Sequence, residues 1–260
     1  MAPPDPLLVS KDWPVDPVNP KAAILQRRLV KTRARLESWR REVAMVETLI
    51  RHHCGDTARV LDVACGTGFG VLELSARGFQ AVGVDADSRL CTMVSDAARH
   101  FGMRAGSVAG DACRLPFADN SFDMVMSRSF FEHVYDRELA MTEQLRVVRK
   151  GGLLLILDGN LLNPRVLVDL LVMYPLRTKG RRGGIVWLLT KRRVHRNLYG
   201  YLPRGRDEDV KTPRWWRRMI QSRTDCELVE SGTSARYIHP EWPRILHPFL
   251  GSCHVVALKR

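Results

Sequence analysis

Residues 60–70 read Val-Leu-Asp-Val-Ala-Cys-Gly-Thr-Gly-Phe-Gly. Val60, Leu61 and Val63 form the short apolar, β-branched run of a strand buried on both faces. Gly66, Gly68 and Gly70 come next at alternate positions, removing side chains where the backbone must bend sharply and where a ligand can approach. The spacing is G-x-G-x-G, with Asp62 inside the strand end. It lacks the G-x-G-x-x-G register whose last glycine packs a helix on the sheet and whose helix N-terminus takes a pyrophosphate. A glycine turn alone leaves the ligand open, so the reading depends on the residues beyond it.

Gln80–Asp85 reads as a second strand ending in an acid, followed by Ala86 and Asp87. An acid about 20 residues past a glycine turn can accept two hydrogen bonds from a ribose diol. Gly110-Asp111-Ala112 comes next, with Asp111 placed to accept from an adenine amino group and the Ala112 N–H available to a ring nitrogen. Phe122–Met126 reads as a fourth strand, and Gly151-Gly152 leads into a fifth at Leu153–Leu157.

Four stretches in this order resemble the class I S-adenosylmethionine-dependent methyltransferases. They are LDVACGTGFG (61–70), VGVDAD (82–87), GDACRLPFADNSFDMVMSRSFFEHV (110–134) and LRVVRKGGLLLI (145–156). The closest likeness is to the type 11 group, which includes ubiquinone- and menaquinone-biosynthesis methyltransferases. It covers residues 40–160 well and a final strand near His254–Leu258 more loosely. The resemblance implies a Rossmann-like α/β fold with a doubly wound, mostly parallel seven-stranded sheet. It also implies S-adenosylmethionine as cofactor, S-adenosylhomocysteine as product, and a cofactor site across the ends of the first two strands. Asp85 and Ala86 would then face the ribose, and Asp111 and Ala112 the adenine. The turn Asp62, Ala64, Cys65, Gly66, Thr67 and Gly68 would lie along the methionine and ribose part, with Ser127 to Ser129 nearby.

Several of these residues also have a plain structural reading. Asp62 can hold the turn through backbone N–H groups. Asp87 suits the N-cap of a helix beginning at Ser88. Cys65 fits as a small apolar filler. Asp85 and Asp111 can be simple turn acids.

A chain of 260 residues has ample length for one α/β domain with an elaboration. We expect a Pro-rich arm over 1–20 and a single domain over 21–260. Its core spans 42–160, a cap-like insertion about 161–212, and the closing helix and strands 213–260. Six cysteines, at 54, 65, 91, 113, 226 and 253, form no C-x-x-C pair and no metal-ligand spacing. Scattered cysteines without an export signal predict a reducing, cytoplasmic setting. No apolar run reaches the ~18 residues needed to span a bilayer.

The net charge is +13, and it is segregated. Residues 161–223 hold 16 Lys+Arg against 4 Asp+Glu, and residues 21–41 hold 8 against 1. Residues 42–160 are mildly acidic, with 12 against 16. Genome base composition can favour arginine over lysine but does not explain this division. The gap between the fifth and sixth strands exceeds a helix and two loops by roughly 40 residues. Its apolar segments alternate with arginine clusters. That pattern suits a packed cap with a solvated face, a surface that meets a membrane through residues 161–196, or a nucleic-acid footprint. The absence of an appended RNA-binding module and of a K/R-G-F-type aromatic strand argues against nucleic acid. Asp169, Pro164 and Pro175 interrupt the apolar run and argue against deep insertion. A small, amphiphilic or anionic acceptor suits such a lid.

Methyl transfer asks a protein to align the acceptor and, where needed, to take a proton. The candidate base is His133 in Phe130-Phe-Glu-His-Val134, whose pKa lies by default near working pH. The same Glu-His pair can instead order its loop. Arg128 can pair with the cofactor's methionine carboxylate or an acidic acceptor. Glu132 is a single acid and no metal site. His195, Tyr199 and Tyr201 are lid candidates, and Phe130 and Phe131 suit core or acceptor stacking. Position 127–130 reads Ser-Arg-Ser-Phe, not the [DN]-P-P-[YF] of enzymes that methylate base or amide nitrogens, which counts against those acceptors. The expected activity is therefore methyl transfer to a small or amphiphilic lipid-, quinone- or natural-product-like acceptor. The alternatives are an RNA methyltransferase using the basic insertion, a non-catalytic cofactor-binding subunit, and a fold-sharing enzyme that uses the cofactor's other carbons.

Overall fold

The computed structural model describes residues 36–164, 211–235, 243–250 and 252–260. The arm at 1–20, most of the insertion with His195, Tyr199 and Tyr201, and the stretch 21–35 lie outside the described residues.

Helix α1 (Leu36–His53) precedes strand β1 (Arg59–Val63). After the glycine turn come α2 (Phe69–Ala76), β2 (Gln80–Asp85), α3 (Ser88–His100) and β3 (Gly106–Ala109). Then come β4 (Phe122–Arg128), α4 (Arg137–Val147) and β5 (Val148–Asp158). The last elements are α5 (Pro213–Gln221), β6 (Cys226–Thr233), a 3-10 turn at Arg244–Phe249 and β7 (Cys253–Lys259). The strands form one seven-stranded sheet in the order β3-β2-β1-β4-β5-β7-β6. β1 pairs in parallel with β2 from Arg59↔Gln80 to Val63↔Val84, and β2 with β3 from Val82↔Gly106 to Asp85↔Ala109. Strand order reverses between β1 and β4, the kind of switch point outside whose carboxyl ends open α/β sheets bind ligands.

Local chemistry explains the element ends. The Asp87 carboxylate accepts the Arg89 N–H at 3.1 Å and so caps α3. Thr212 caps α5 by accepting the Trp215 N–H at 3.2 Å, with Pro213 in the first turn. At the amino ends of the central strands, Asp123 accepts from the Arg59 N–H at 2.7 Å and from Arg149 Nε at 2.6 Å. Gly152 is required beside it, because a Cβ there would stand 2.6 Å from the Asp123 carbonyl oxygen.

The described chain divides into two compact units. One holds 36–126, 142–154 and 259; the other holds 127–141, the described part of 155–258, and 260. In the first, Val60, Leu61, Val63, Met124, Val125, Leu153 and Leu154 are buried. The face of α3 buries Ala97 and Ala98 against Leu72, with Phe101, Met103 and Ala105 packed around them. In the second, the buried Phe131 and Trp216 rings meet edge to face at 5.2 Å. Among the described residues no helix is long and apolar enough to cross a membrane.

Candidate functional site

The turn after β1 is held from the end of β2. Gly66 N–H donates to Asp85 Oδ2 at 2.9 Å, and Asp87 N–H donates to Asp85 Oδ1 at 2.9 Å. Cys65 N–H donates to the Val84 carbonyl at 3.1 Å. Each Asp85 oxygen thus spends one acceptor position on the backbone and keeps another, since a carboxylate offers about four in all. The half-buried Asp85 can therefore hold the turn and still accept from a diol.

The three glycines do three different jobs. Gly66 has φ +57, and a Cβ there would meet nothing within 4 Å, so open space lies against its backbone. Gly68 has φ +74, and its Cβ would stand 2.3 Å from Val94 Cγ2 on α3. Val94 is fully buried and β-branched, so it cannot give way. Gly70 would set a Cβ 2.6 Å from Asp62 Oδ2. At Gly66 the backbone is open, whereas at Gly68 and Gly70 a Cβ would collide with the protein's own side chains.

The neighbouring site residues fall into place around this turn. Ala64 has φ +59, a left-handed backbone unusual outside glycine. Asp62 is buried, and Thr67 is half-buried. Cys65 is also buried, and burial pushes its thiol well up, so it sits there as an un-ionised filler. Ala86 is exposed directly after Asp85. In the next loop Asp111 is exposed and its Oδ1 accepts the Cys113 N–H at 2.9 Å, which shapes the turn around half-buried Ala112. Gly110 N–H donates to the Asp85 carbonyl at 3.0 Å, so the adenine-side loop starts from the ribose-side acid.

The second unit contains a separate group of polar residues at and beyond the ends of β4 and β5. Ser127 is buried and its hydroxyl has no hydrogen-bond partner. Arg128 is half-buried at the end of β4. Ser129 comes next with φ +48, and its N–H donates to the Leu157 carbonyl at 2.7 Å. His133 Nε2 lies 3.5 Å from Glu132 Oε1, and the His133 N–H closes a turn on the Phe130 carbonyl at 2.9 Å. Burial lowers the imidazole to about 4, so at neutral pH it is uncharged. This departs from the default expectation of a group titrating near working pH, because the imidazole is largely withdrawn from water.

Asp158, the last residue of β5, is a functional candidate that motif reading does not reach. It is 2% exposed, and its Oδ1 has no hydrogen-bond partner. Burial, with the Glu132 charge nearby, pushes its carboxyl well above the usual carboxylate range, and Arg137 only partly offsets this. Burial and the same two acids also push up the Cys253 thiol on β7. An acid closing the apolar run Leu153–Leu157 is the one signal of it in the sequence.

Comparison with known proteins shows what the central segment is similar to. Residues 61–156 match the family model described as a methyltransferase domain. This segment is similar to methyltransferase domains. The chain is 39% identical over 104 residues to a demethylmenaquinone methyltransferase of Mycolicibacterium paratuberculosis, covering 40% of this chain and 43% of that one. A demethylmenaquinone methyltransferase of a Mycobacterium species (strain KMS) is 34% identical over 143 residues, covering 55% and 57%. The chain spans about half the length of the curated relatives it matches. Among solved structures, a geranyl diphosphate methyltransferase in complex with S-adenosylmethionine superposes with TM-score 0.58 at 16% identity, covering 94% of this chain and 93% of that one. That likeness establishes the shared fold.

Proposed function

We propose that the protein is an S-adenosylmethionine-dependent methyltransferase whose acceptor is a small amphiphilic molecule of quinone, lipid or natural-product type. The observation that carries the reading is the Asp85 carboxylate bound to the Gly66 N–H, with open space against Gly66, inside the methyltransferase domain. The relatives are named as methyltransferases of demethylmenaquinone, which supports an amphiphilic acceptor.

The residues fit the cofactor. Asp85 would hold the ribose diol, Asp111 and Ala112 the adenine, and the turn 62–68 the methionine part. When bound, S-adenosylmethionine supplies an electrophilic sulfonium methyl, which reacts with a nucleophile held in line. His133 is uncharged at neutral pH and so can take a proton from an acceptor hydroxyl. Glu132, 3.5 Å away, would steady the imidazolium. Arg128 supplies a fixed positive charge for an acidic group. The basic sequence of 161–196 favours work at an anionic membrane surface, and the scattered free cysteines favour a reducing compartment.

The test is calorimetry with S-adenosylhomocysteine, then transfer of labelled methyl to a reduced prenylated naphthoquinone. Binding that Asp85→Ala abolishes, together with labelled product, supports the reading. Equal affinity of the two proteins overturns the cofactor assignment. Binding without transfer to any hydroxyl, amine or carbon acceptor of this class overturns the enzymatic one.

A further inference from the structure

The 3-10 turn Arg244-Ile-Leu-His-Pro-Phe249 presents its apolar side chains to water. Ile245 is 78% exposed, Leu246 44% and Phe249 46%. Three large hydrophobic side chains so open within five residues are unusual in an edge segment that has a core beside it to join. In a 3-10 turn residues three apart eclipse, so Leu246 and Phe249 stand on one side and Ile245 projects about 120° round from them.

The turn is held firmly by its backbone. The Asn160 side-chain amide, itself buried, donates to the Pro248 carbonyl at 3.1 Å. The Thr233 hydroxyl donates to the His247 carbonyl. Leu246 N–H closes on the Pro243 carbonyl at 2.9 Å and Leu250 N–H on the His247 carbonyl at 3.2 Å. These bonds fix the turn from within while Ile245, Leu246 and Phe249 stay exposed. Arg244 is exposed on the turn itself, and Arg214 and Arg218 are exposed on α5 of the same unit. The sequence leading up to this region, 161–223, carries an excess of twelve positive charges. Exposed aliphatic and aromatic side chains beside Arg244, in a unit of basic sequence, complement an anionic lipid surface, where the apolar groups enter the headgroup boundary and guanidinium groups meet phosphates.

We infer that Ile245, Leu246 and Phe249 form a membrane-insertion knob that seats the protein on an anionic bilayer. This rests on the peripheral-membrane part of the proposed function and assigns it to a surface outside 161–196. It is independent of turnover, because its readout is partitioning.

The experiment is co-sedimentation of the full chain with vesicles of equal parts phosphatidylcholine and phosphatidylglycerol, against phosphatidylcholine alone, at low and high salt. The wild type should partition to the anionic vesicles and be weakened by salt. The triple variant Ile245→Ser, Leu246→Ser, Phe249→Ser should lose at least about tenfold in partitioning, with S-adenosylhomocysteine affinity and circular dichroism unchanged. Undiminished binding by the triple variant overturns the knob while leaving a peripheral protein. No binding by the wild type overturns the knob and the peripheral reading together, with the methyltransferase reading untouched. A wild-type dimer that the triple variant converts to monomer, with vesicle binding unchanged, assigns the patch to a second copy of the chain and also overturns the knob.

Discussion

Asp85, at the end of β2, accepts the backbone N–H of Gly66, in the turn after β1, at 2.9 Å. The acid that would grip a ribose therefore also sets the shape of the turn beside it. Cofactor affinity and turn geometry are coupled through one carboxylate.

Asp85→Ala removes both roles at once. Hydrogen bonds to a charged group contribute about 1.5–3 kcal/mol each. Loss of a ribose pair should weaken S-adenosylhomocysteine by roughly two orders of magnitude or more. Asp85→Asn keeps an acceptor for Gly66 and should lose less. Calorimetry on the two variants separates the contributions, and identical losses would show that charge alone matters.

Gly66→Ala and Gly68→Ala should part company. Both place alanine in a left-handed backbone, costing about 1 kcal/mol. Only Gly68→Ala also drives a Cβ into Val94, adding about 1–3 kcal/mol of overpacking. Urea denaturation should show Gly68→Ala clearly the less stable. Gly66→Ala should keep most of its stability and lose cofactor affinity, because its methyl enters the open space.

His133 should make the protein acid-labile over a defined window. Burial holds it at about 4, while an exposed imidazole titrates near 6.5. Below about 6.5 the unfolded chain takes up a proton that the native chain refuses, so stability falls as pH drops toward 4. The full difference is about 3 kcal/mol. His133→Gln should narrow the stability gap between pH 7 and about pH 4.5 by a large part of that. If His133 is the base, kcat/KM should show no limb near 6.5, and one there would remove His133 from that role.

Asp158 carries the opposite sign. Its carboxyl stays protonated in the native chain at pH values where the unfolded chain has ionised it. Stability contributed at this position therefore falls as pH rises above about 4. Asp158→Asn resembles the protonated acid and abolishes that dependence. The variant should gain on the wild type from pH 5 to pH 8 in urea unfolding; a constant difference would mean that Asp158 is ionised when folded.

Much of the frame is legible in residue order. The β-branched run ending at Val63, the acids at 85 and 111 and the apolar runs at 122–126 and 153–157 each mark a strand or its end, because side-chain periodicity and turn chemistry are local. Asp87 and the Thr212-Pro213 pair are readable as caps for the same reason. The roles within the glycine turn are not, since Val94 and Asp62 approach it from other positions in the chain.

Residue order and composition are thus enough for the succession of strands and turns and the segregation of positive charge, both of which reside in near neighbours or in counts. Only the folded chain reveals that Asp85 closes the Gly66 turn, that burial lowers His133 and that burial raises the Asp158 carboxyl. The outward face of Ile245, Leu246 and Phe249, with Asn160 and Thr233 holding their backbone, belongs with these. Burial, and the low dielectric that comes with it, is a property of what the rest of the chain brings alongside a residue, and no local spacing encodes it.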